Sequence, residues 1–325
     1  MKRIAISAAM ILTAAITASP AVAASNDYPD KPIRLIVPYP PGGTSDVLAR
    51  LLGTKLSSEL KQPIIVENRP GAAEAVGAGA TASAPADGYT LMLATLSSLA
   101  VNPALYKGSL TYNPEKDFKP IVHIASVPAI LTVNPKVPAN TLQELTAYFK
   151  SHPENTYASP GVGSPGHLGM EMYKQNAGID VLHVPYRGGA PALQDLVSGQ
   201  VDAMLVLVPE GMPFVQAGRI KALGISTLER SAQYPDLPTM NEAGLKDFEI
   251  FLWYTLVAPK ATPDDVVNKL NHAVNAALKD DQIRAKLKEL SIDPAGGSPE
   301  DAQALINQES IKWKKLIDSR GITAD

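Results

Sequence analysis

The chain of 325 residues has no cysteine, which excludes a disulfide framework, a thiolate metal site and a lipid-bearing cysteine near the leader. Its stability must therefore come from packed cores. It also lacks a basic excess: lysine and arginine number 29 against 32 acids, a net charge of −3. Nucleic acid and anionic membranes, which are recognised through cationic surfaces, are excluded as partners. The five histidines, His123, His152, His167, His183 and His272, show neither His-x-x-x-His nor a Glu-flanked zinc-hydrolase spacing, so no metal and no cofactor are expected. Long apolar runs are missing apart from Ile4 to Ala18.

That run follows Met1-Lys2-Arg3, is shorter than the roughly 20 residues of a spanning helix, and ends in Pro20 and the small triplet Ala21-Val22-Ala23. It reads as a secretory signal peptide, residues 1–23, removed on export. Because residues 1–23 hold Lys2 and Arg3 but no acid, removal takes the net charge to −5. The mature chain, on the order of 300 residues, is long enough for two cores. It is expected to be periplasmic, monomeric and not inserted in a membrane.

What is present is a strand that stops at a glycine corner. Ile33, Leu35, Ile36 and Val37 form the near-continuous apolar run of a parallel strand, and Pro38 to Pro41 block its extension. Gly42 and Gly43 then turn the chain into a helix with Leu48, Leu51, Leu52 and Leu56 on one face, for which Thr44 or Ser45 is the expected N-cap. A helix start carries about half a positive charge and up to four unpaired amides. An anion placed there gains about 0.3 to 1 kcal/mol from the dipole, besides its hydrogen bonds. The second half echoes the device: Val181, Leu182 and Val184 lead into Pro185-Tyr186-Arg187-Gly188-Gly189 and a helical stretch with Leu193, Leu196 and Val197 on one side. Two such corners predict two lobes facing one ligand.

Strand-like runs at Pro63 to Val66, Tyr89 to Ala94, Ile121 to Val133, Thr156 to Ser159, Val181 to Tyr186, Ala203 to Val208, Ile220 to Ser226 and Phe251 to Ala258 alternate with helical patterns. The alternation predicts an α/β protein whose lobes are mainly parallel sheets flanked by helices. No low-complexity linker separates them, so the chain is expected to cross through hinge strands at Ala125 to Val133 and Phe248 to Val257. At the C-terminal end, Thr262 is the expected cap of a helix bearing Val266, Leu270, Val274 and Leu278, and Ser298-Pro299-Glu300-Asp301 opens another that closes at Gly321.

Catalytic readings find little support. Gly161-Val162-Gly163-Ser164-Pro165-Gly166 fits G-x-G-x-x-G after a short strand, with Asp180 at the distance of a ribose-binding acid. Pro160 and Pro165 do not suit a dinucleotide turn, and the better reading is an amide-rich loop whose glycines admit a ligand closely. Ser164 lacks the glycine two residues earlier that a nucleophile elbow needs. His183 reads as a core histidine and His167 as a cleft candidate. Ser97 and Ser98 follow the strand Tyr89 to Ala94, at the carboxyl end where open α/β sheets bind ligands. Arg187 either meets an anionic ligand or points to solvent, and Trp253 and Tyr254 read as core.

Several motifs together resemble the periplasmic solute-binding proteins of tripartite tricarboxylate transporters, often called Bug proteins. They are Tyr28-Pro-Asp-Lys-Pro-Ile-Arg with Pro41-Gly-Gly-Thr-Ser-Asp46, Val66-Glu-Asn-Arg-Pro-Gly71, Ala86-Asp-Gly-Tyr-Thr-Leu91, His183-Val-Pro-Tyr-Arg-Gly-Gly189, Gly199-Gln-Val-Asp202 and Leu237-Pro-Thr-Met-Asn-Glu-Ala-Gly244. The resemblance implies a two-lobed type II periplasmic-binding fold, a Venus flytrap that closes on a small carboxylate and delivers it to membrane permease subunits without catalysis. It implies a ligand cradle at Tyr39, Gly42, Gly43, Thr44, Ser45 and Asp46, faced by Ser159, Gly161, Val162, Gly163 and Ser164. Ordered waters bridging the ligand carboxylate to both lobes are implied as well.

Two departures bear on specificity. Relatives often have Gly-Gly-Asn-x-Gly where this chain has Ala73-Glu74-Ala75-Val76-Gly77, and often Asp where it has Val206. An Asp there would suit an ammonium, so the valine predicts a dicarboxylate or aromatic carboxylate without a positive amine. The expected ligand contacts also include Ala75, Ser97, Ser98, His167, Tyr186 and Val206; Glu74, Arg187 and Glu210 are left open. The lobes are expected at residues 25–126 with 248–325, and 127–247. An exported ligand sensor or an exported hydrolase are the rival functions.

Overall fold

The computed structural model describes residues 28–324, so the leader predicted at residues 1–23 lies outside the described residues. Ten strands follow in order: β1 (Ile33–Val37), β2 (Ile64–Asn68), β3 (Thr90–Thr95), β4 (Phe118–Val133), β5 (Thr156–Ser159), β6 (Leu182–Pro185), β7 (Ala203–Leu207), β8 (Lys221–Ile225), β9 (Phe251–Pro259) and β10 (Asp293–Pro294). They form two sheets that share β4. Its Phe118–Pro128 section pairs antiparallel with β9, and its Ala129–Val133 section pairs antiparallel with β7 and β8. The first sheet thus runs β2-β1-β3-β9-β4-β10 and the second β6-β5-β7-β4-β8.

Each sheet is mixed rather than mainly parallel. Parallel pairing is confined to β1 with β2 and β3, and to β5 with β6 and β7. The strands that carry the chain between the sheets enter antiparallel, because β4 and β9 run alongside each other in opposite directions. They lie where the two hinge strands were expected: β4 changes sheets between Pro128 and Ala129. Just before β9, the Ile250 amide donates to the Ser226 carbonyl of the second sheet and Phe251 then pairs with Pro128 in the first.

The parallel triplets β2-β1-β3 and β6-β5-β7 have the same order and the same connections. In the first, the helix Thr44–Leu60 joins β1 to β2 and the helix Ala75–Ala82 leads to β3; in the second, Pro165–Ala177 joins β5 to β6 and Gly189–Ser198 leads to β7. The first crossover runs from the central strand to one edge and the second returns past the central strand to its other side, so right-handed connections put the helices on opposite faces. A crevice opens at the carboxyl end of the central strand, between β1 and β3 and between β5 and β7. The true counterpart of the corner after β1 is therefore the Ser159–Ser164 loop after β5. The Tyr186–Gly189 corner, which the sequence echo picks out, follows β6 and corresponds to the turn after β2.

Capping differs from expectation at two helices. The first helix starts at Thr44, its N-cap is Gly43, and no side chain caps it. The helix Asp264–Lys279 is preceded by Pro263 without a side-chain cap, and the Thr262 hydroxyl is buried with no partner among the described residues. The Ser298 box is present as expected, with Asp301 returning the bond and Gly321 ending the helix Pro299–Arg320 in the left-handed region. This last helix reaches both sheets' layers. It buries Trp313 near Trp253, and its Arg320 donates to Glu171 of the helix Pro165–Ala177 at 2.9 Å.

Candidate functional site

At the β1/β3 crevice the corner Pro40–Gly43 is held from behind. The Gly42 amide donates to Asp46 Oδ2 at 2.9 Å, with Gly42 at φ +88°. Asp46 also accepts from Arg50 Nε at 3.0 Å and from Asn68 Nδ2 at 3.0 Å, and Asn68 in turn donates to the Tyr39 carbonyl at 3.1 Å. The Arg50 guanidinium, chiefly, holds the Asp46 carboxyl down at about 2. Asp46 is thus a buried strut whose oxygens are engaged within the protein, not a free ligand group. What the strut fixes is the uncapped first turn, where the early amides of the helix have no intrahelical acceptor.

Around this turn a set of hydroxyls converges. Ser45 Oγ donates to the Tyr254 hydroxyl at 3.3 Å, which gives that tyrosine a polar task besides its core position. The Tyr39 hydroxyl donates to Glu74 Oε1, and Thr95 Oγ1 donates to the same oxygen at 2.6 Å. Ser97 and Ser98 are buried in a π-helical turn directly after β3; the Ser97 amide donates to Thr95 Oγ1 and the Ser98 hydroxyl accepts from the Thr95 amide, both at 3.1 Å. Ala75 begins the next helix with its amide on the Ala72 carbonyl. Thr95 escaped the sequence reading although it ends β3 at the binding edge; Glu74 was left open there and is now a member of this set.

At the β5/β7 crevice the loop after β5 folds on itself. Ser159 Oγ accepts from the Gly161 amide at 3.1 Å and lies 2.7 Å from His183 Nε2. Ser164 caps the helix behind, accepting from the His167 amide, and donates to the Gly161 carbonyl at 2.7 Å. Gly163 at φ +77° donates to His167 Nδ1 at 3.1 Å. A side chain at Gly163 would meet Leu105 Cδ2 at 2.6 Å, so this loop touches the segment that follows β3 in the other half. Val162 packs against the main core.

One expected contact sits elsewhere, and the second glycine corner is engaged within the protein. Val206 is 2 % exposed and belongs to the core of the second sheet, packed over Gly211 and Ile130, so it offers no face to a ligand and its identity says nothing about an amine. Tyr186 is tied by its hydroxyl to Asp195 at 2.6 Å within its own half. Arg187 is exposed. The Glu210 carboxylate, in the first turn of the helix Val208–Gln216, occupies the space over Gly189, with Oε2 2.7 Å from where a Cβ would stand. The second sequence corner is thereby filled by the chain's own acid. Away from both crevices, a cavity of about 490 Å³ lies between Leu99–Ala104 and the last helix, near Ile306 and Ser310, and holds none of these groups.

His167 and His183 stack at 4.1 Å and Tyr157 continues the stack at 4.8 Å. Burial pushes His167 down to about 3, with His183 beside it adding to the effect, and burial pushes His183 down to about 4. The nearby Glu171 carboxyl is pushed up by burial, but Lys174, Tyr157 and Arg320 together bring it down to about 2. Unfolded histidines titrate near 6.5. Folded values below that mean the unfolded chain binds more protons, so this contribution is complete above about pH 7 and is lost as pH falls toward 4. Each histidine is expected to add up to about 1.4 kcal/mol per pH unit to the slope of unfolding free energy between pH 6 and 5. Urea denaturation across that window checks it, and His183→Phe should remove about half of the excess; a flat profile would contradict the buried neutral pair.

The sequence pattern of the tripartite tricarboxylate transporter family receptor matches residues 48–322. The chain belongs to this receptor family. Among its relatives is the protein BugT of Bordetella pertussis, 35% identical over 313 residues, covering 96% of this chain and 95% of BugT. A structure from R. palustris with adipate superposes with a TM-score of 0.84 at 36% identity, covering 91% of this chain and 99% of that one. MatC from Rhodopseudomonas palustris with bound malate gives 0.79 at 33% identity, covering 89% and 100%. The receptor family and its solved neighbours are periplasmic solute-binding proteins, and the two-lobed α/β fold is theirs. Among the described residues no helix is long and apolar enough to cross a membrane.

Proposed function

We propose that this receptor captures a small diacid between its lobes in the periplasm and passes it to the membrane permease subunits of a tripartite transporter. The observation that carries the reading is the uncapped start of the helix Thr44–Leu60, rigidly braced by Asp46 at a crevice edge lined with hydroxyls. Gly43, Thr44 and Ser45 supply main-chain donors to one carboxylate, while the Gly42 amide is taken by Asp46. The Gly161–Ser164 loop approaches from the other lobe, directly or through water, which is enthalpically nearly as good. Residues 25–126 with 248–325 form one lobe and 127–247 the other, with β4 and the Ile250–Phe251 segment as hinges. Contacts to both lobes stabilise the closed form over the open one, and such a difference in affinity is what drives closure. A diacid is favoured over an aromatic acid because two relatives at 33% and 36% identity were solved with malate and adipate.

Native mass spectrometry of the exported protein as purified, followed by calorimetry with diacids, aromatic acids and neutral sugars, tests this reading. Retention of a small diacid and loss of its uptake on gene deletion are the expected results. Conversion of the bound compound, or binding of aromatic acids alone, contradicts it; loss of transcriptional induction with uptake intact would identify a sensor instead.

A further inference from the structure

The turn before the helix Ala75–Ala82 holds three successive non-glycine residues in the left-handed region, Ala72, Ala73 and Glu74, at φ 45°, 49° and 77°. Each such conformation is disfavoured for a residue that carries a side chain. The bend delivers a carboxylate to the interior: Glu74 is 4% exposed. Its Oε1 already accepts from Tyr39 and Thr95, whereas among the described residues Oε2 has no hydrogen-bond partner and no cation pairs with the group. Burial pushes the Glu74 carboxyl up, and the Thr95, Tyr39, Ser98 and Ser97 hydroxyls offset that only in part, with no bond completed to Oε2. A buried carboxylate oxygen left unpaired carries a desolvation cost that a donor would relieve.

A second acid, from the Gly189 corner of the other sheet, bears with Glu74 on the Tyr254 phenol. Glu210 makes no hydrogen bond and no ion pair among the described residues, and burial pushes its carboxyl up. Burial raises the Tyr254 phenol, and the Glu210 and Glu74 charges add to that rise, so acids from both sheets bear on the hydroxyl that receives the Ser45 bond. The cradle is therefore rich in donors at the first helix turn and rich in acceptors a short way off.

We propose that Glu74 determines specificity by accepting, at Oε2, a hydrogen bond from the ligand itself, so that the ligand carries a hydroxyl or ammonium group besides the carboxylate held at Gly43–Ser45. The inference rests on the diacid reading above and narrows it. An unsubstituted diacid leaves Oε2 unpaired and brings only further negative charge toward two acids. A hydroxylated or aminated one satisfies it.

The test is calorimetry on the full mature protein with matched acids, succinate against malate and aspartate, and adipate against its 2-hydroxy and 2-amino forms, at pH 7.5 and 5.5. The substituted member is expected to bind about 10- to 100-fold tighter than its parent in the set that fits the cleft; malate and aspartate separate the hydroxyl from the ammonium source. Glu74→Gln keeps an oxygen for Tyr39 and Thr95 but turns the free acceptor into a donor, and the advantage should vanish or reverse. Equal or tighter binding of the unsubstituted acid by the unaltered protein overturns the proposal, as does an affinity that rises with acid because Glu74 presents a proton. The ratio in the unaltered protein decides even if the glutamine variant fails to fold. If no diacid binds to a protein that melts normally, the diacid reading fails first and this inference falls with it.

Discussion

Thr44→Pro is expected to weaken diacid binding about 10- to 100-fold while the protein still folds. Proline removes one main-chain donor and nothing else of consequence, because the first helical position leaves its amide unpaired and accepts proline's fixed φ. The residue before a proline must be extended, and Gly43 already is, at φ −83° and ψ 174°. A hydrogen bond to a charged group is worth about 1.5 to 3 kcal/mol, and each 1.4 kcal/mol is tenfold in affinity. Thr44→Ala supplies the control, since it keeps the amide and discards only the hydroxyl; its affinity should stay within about threefold of the unaltered protein. Calorimetry on the two variants separates the readings. If the alanine loses as much as the proline, the hydroxyl and not the main chain holds the ligand.

Trp313→Ala should remove about 3 to 5 kcal/mol of stability, the usual cost of deleting a large buried aromatic side chain. Trp313 and Trp253 are both fully buried, and their indole N–H groups donate to the same oxygen, Glu309 Oε2, at 2.7 and 3.4 Å. Glu309 is itself buried, with Lys312 at 3.2 Å from its other oxygen. The truncation opens a cavity and also strips the better of two donors from a buried charge. Native domains have about 5 to 15 kcal/mol in total, so the loss is a large fraction of it. Urea denaturation reads the change, and Trp313→Phe, which keeps most of the packing but not the N–H, should fall between. A loss below about 1 kcal/mol in the alanine variant would mean that the last helix is not the clamp its contacts describe.

Much of the architecture was legible because its signals are local. Apolar runs bounded by Pro and Gly marked every long strand, and the Ser298-Pro299-Glu300-Asp301 pattern marked a capping box that the structure contains. Less legible was anything that depends on which strand lies beside which. Tyr186-Arg187-Gly188-Gly189 looks like the corner after β1, but strand order assigns that place to Ser159–Ser164, and Glu210 from a distant segment fills the space over Gly189. Val206 follows the same logic: the resemblance put it at the ligand, whereas burial on both faces of β7 hides its side chain. Thr44 and Ser45 have capping chemistry, yet the backbone gives the cap to Gly43 and leaves the amides free. The Glu74 carboxylate gained its setting only from Tyr39 and Thr95, 35 and 21 residues away in sequence.

Amide chemical shifts during a diacid titration address the main-chain cradle most directly. The account predicts that the amide protons of Gly43, Thr44 and Ser45 move furthest downfield on saturation, with Gly161 to Ser164 changing in the same titration step as the opposite lobe engages. Saturable binding that leaves the Gly43–Ser45 amides unmoved, or that shifts one lobe alone, would contradict it.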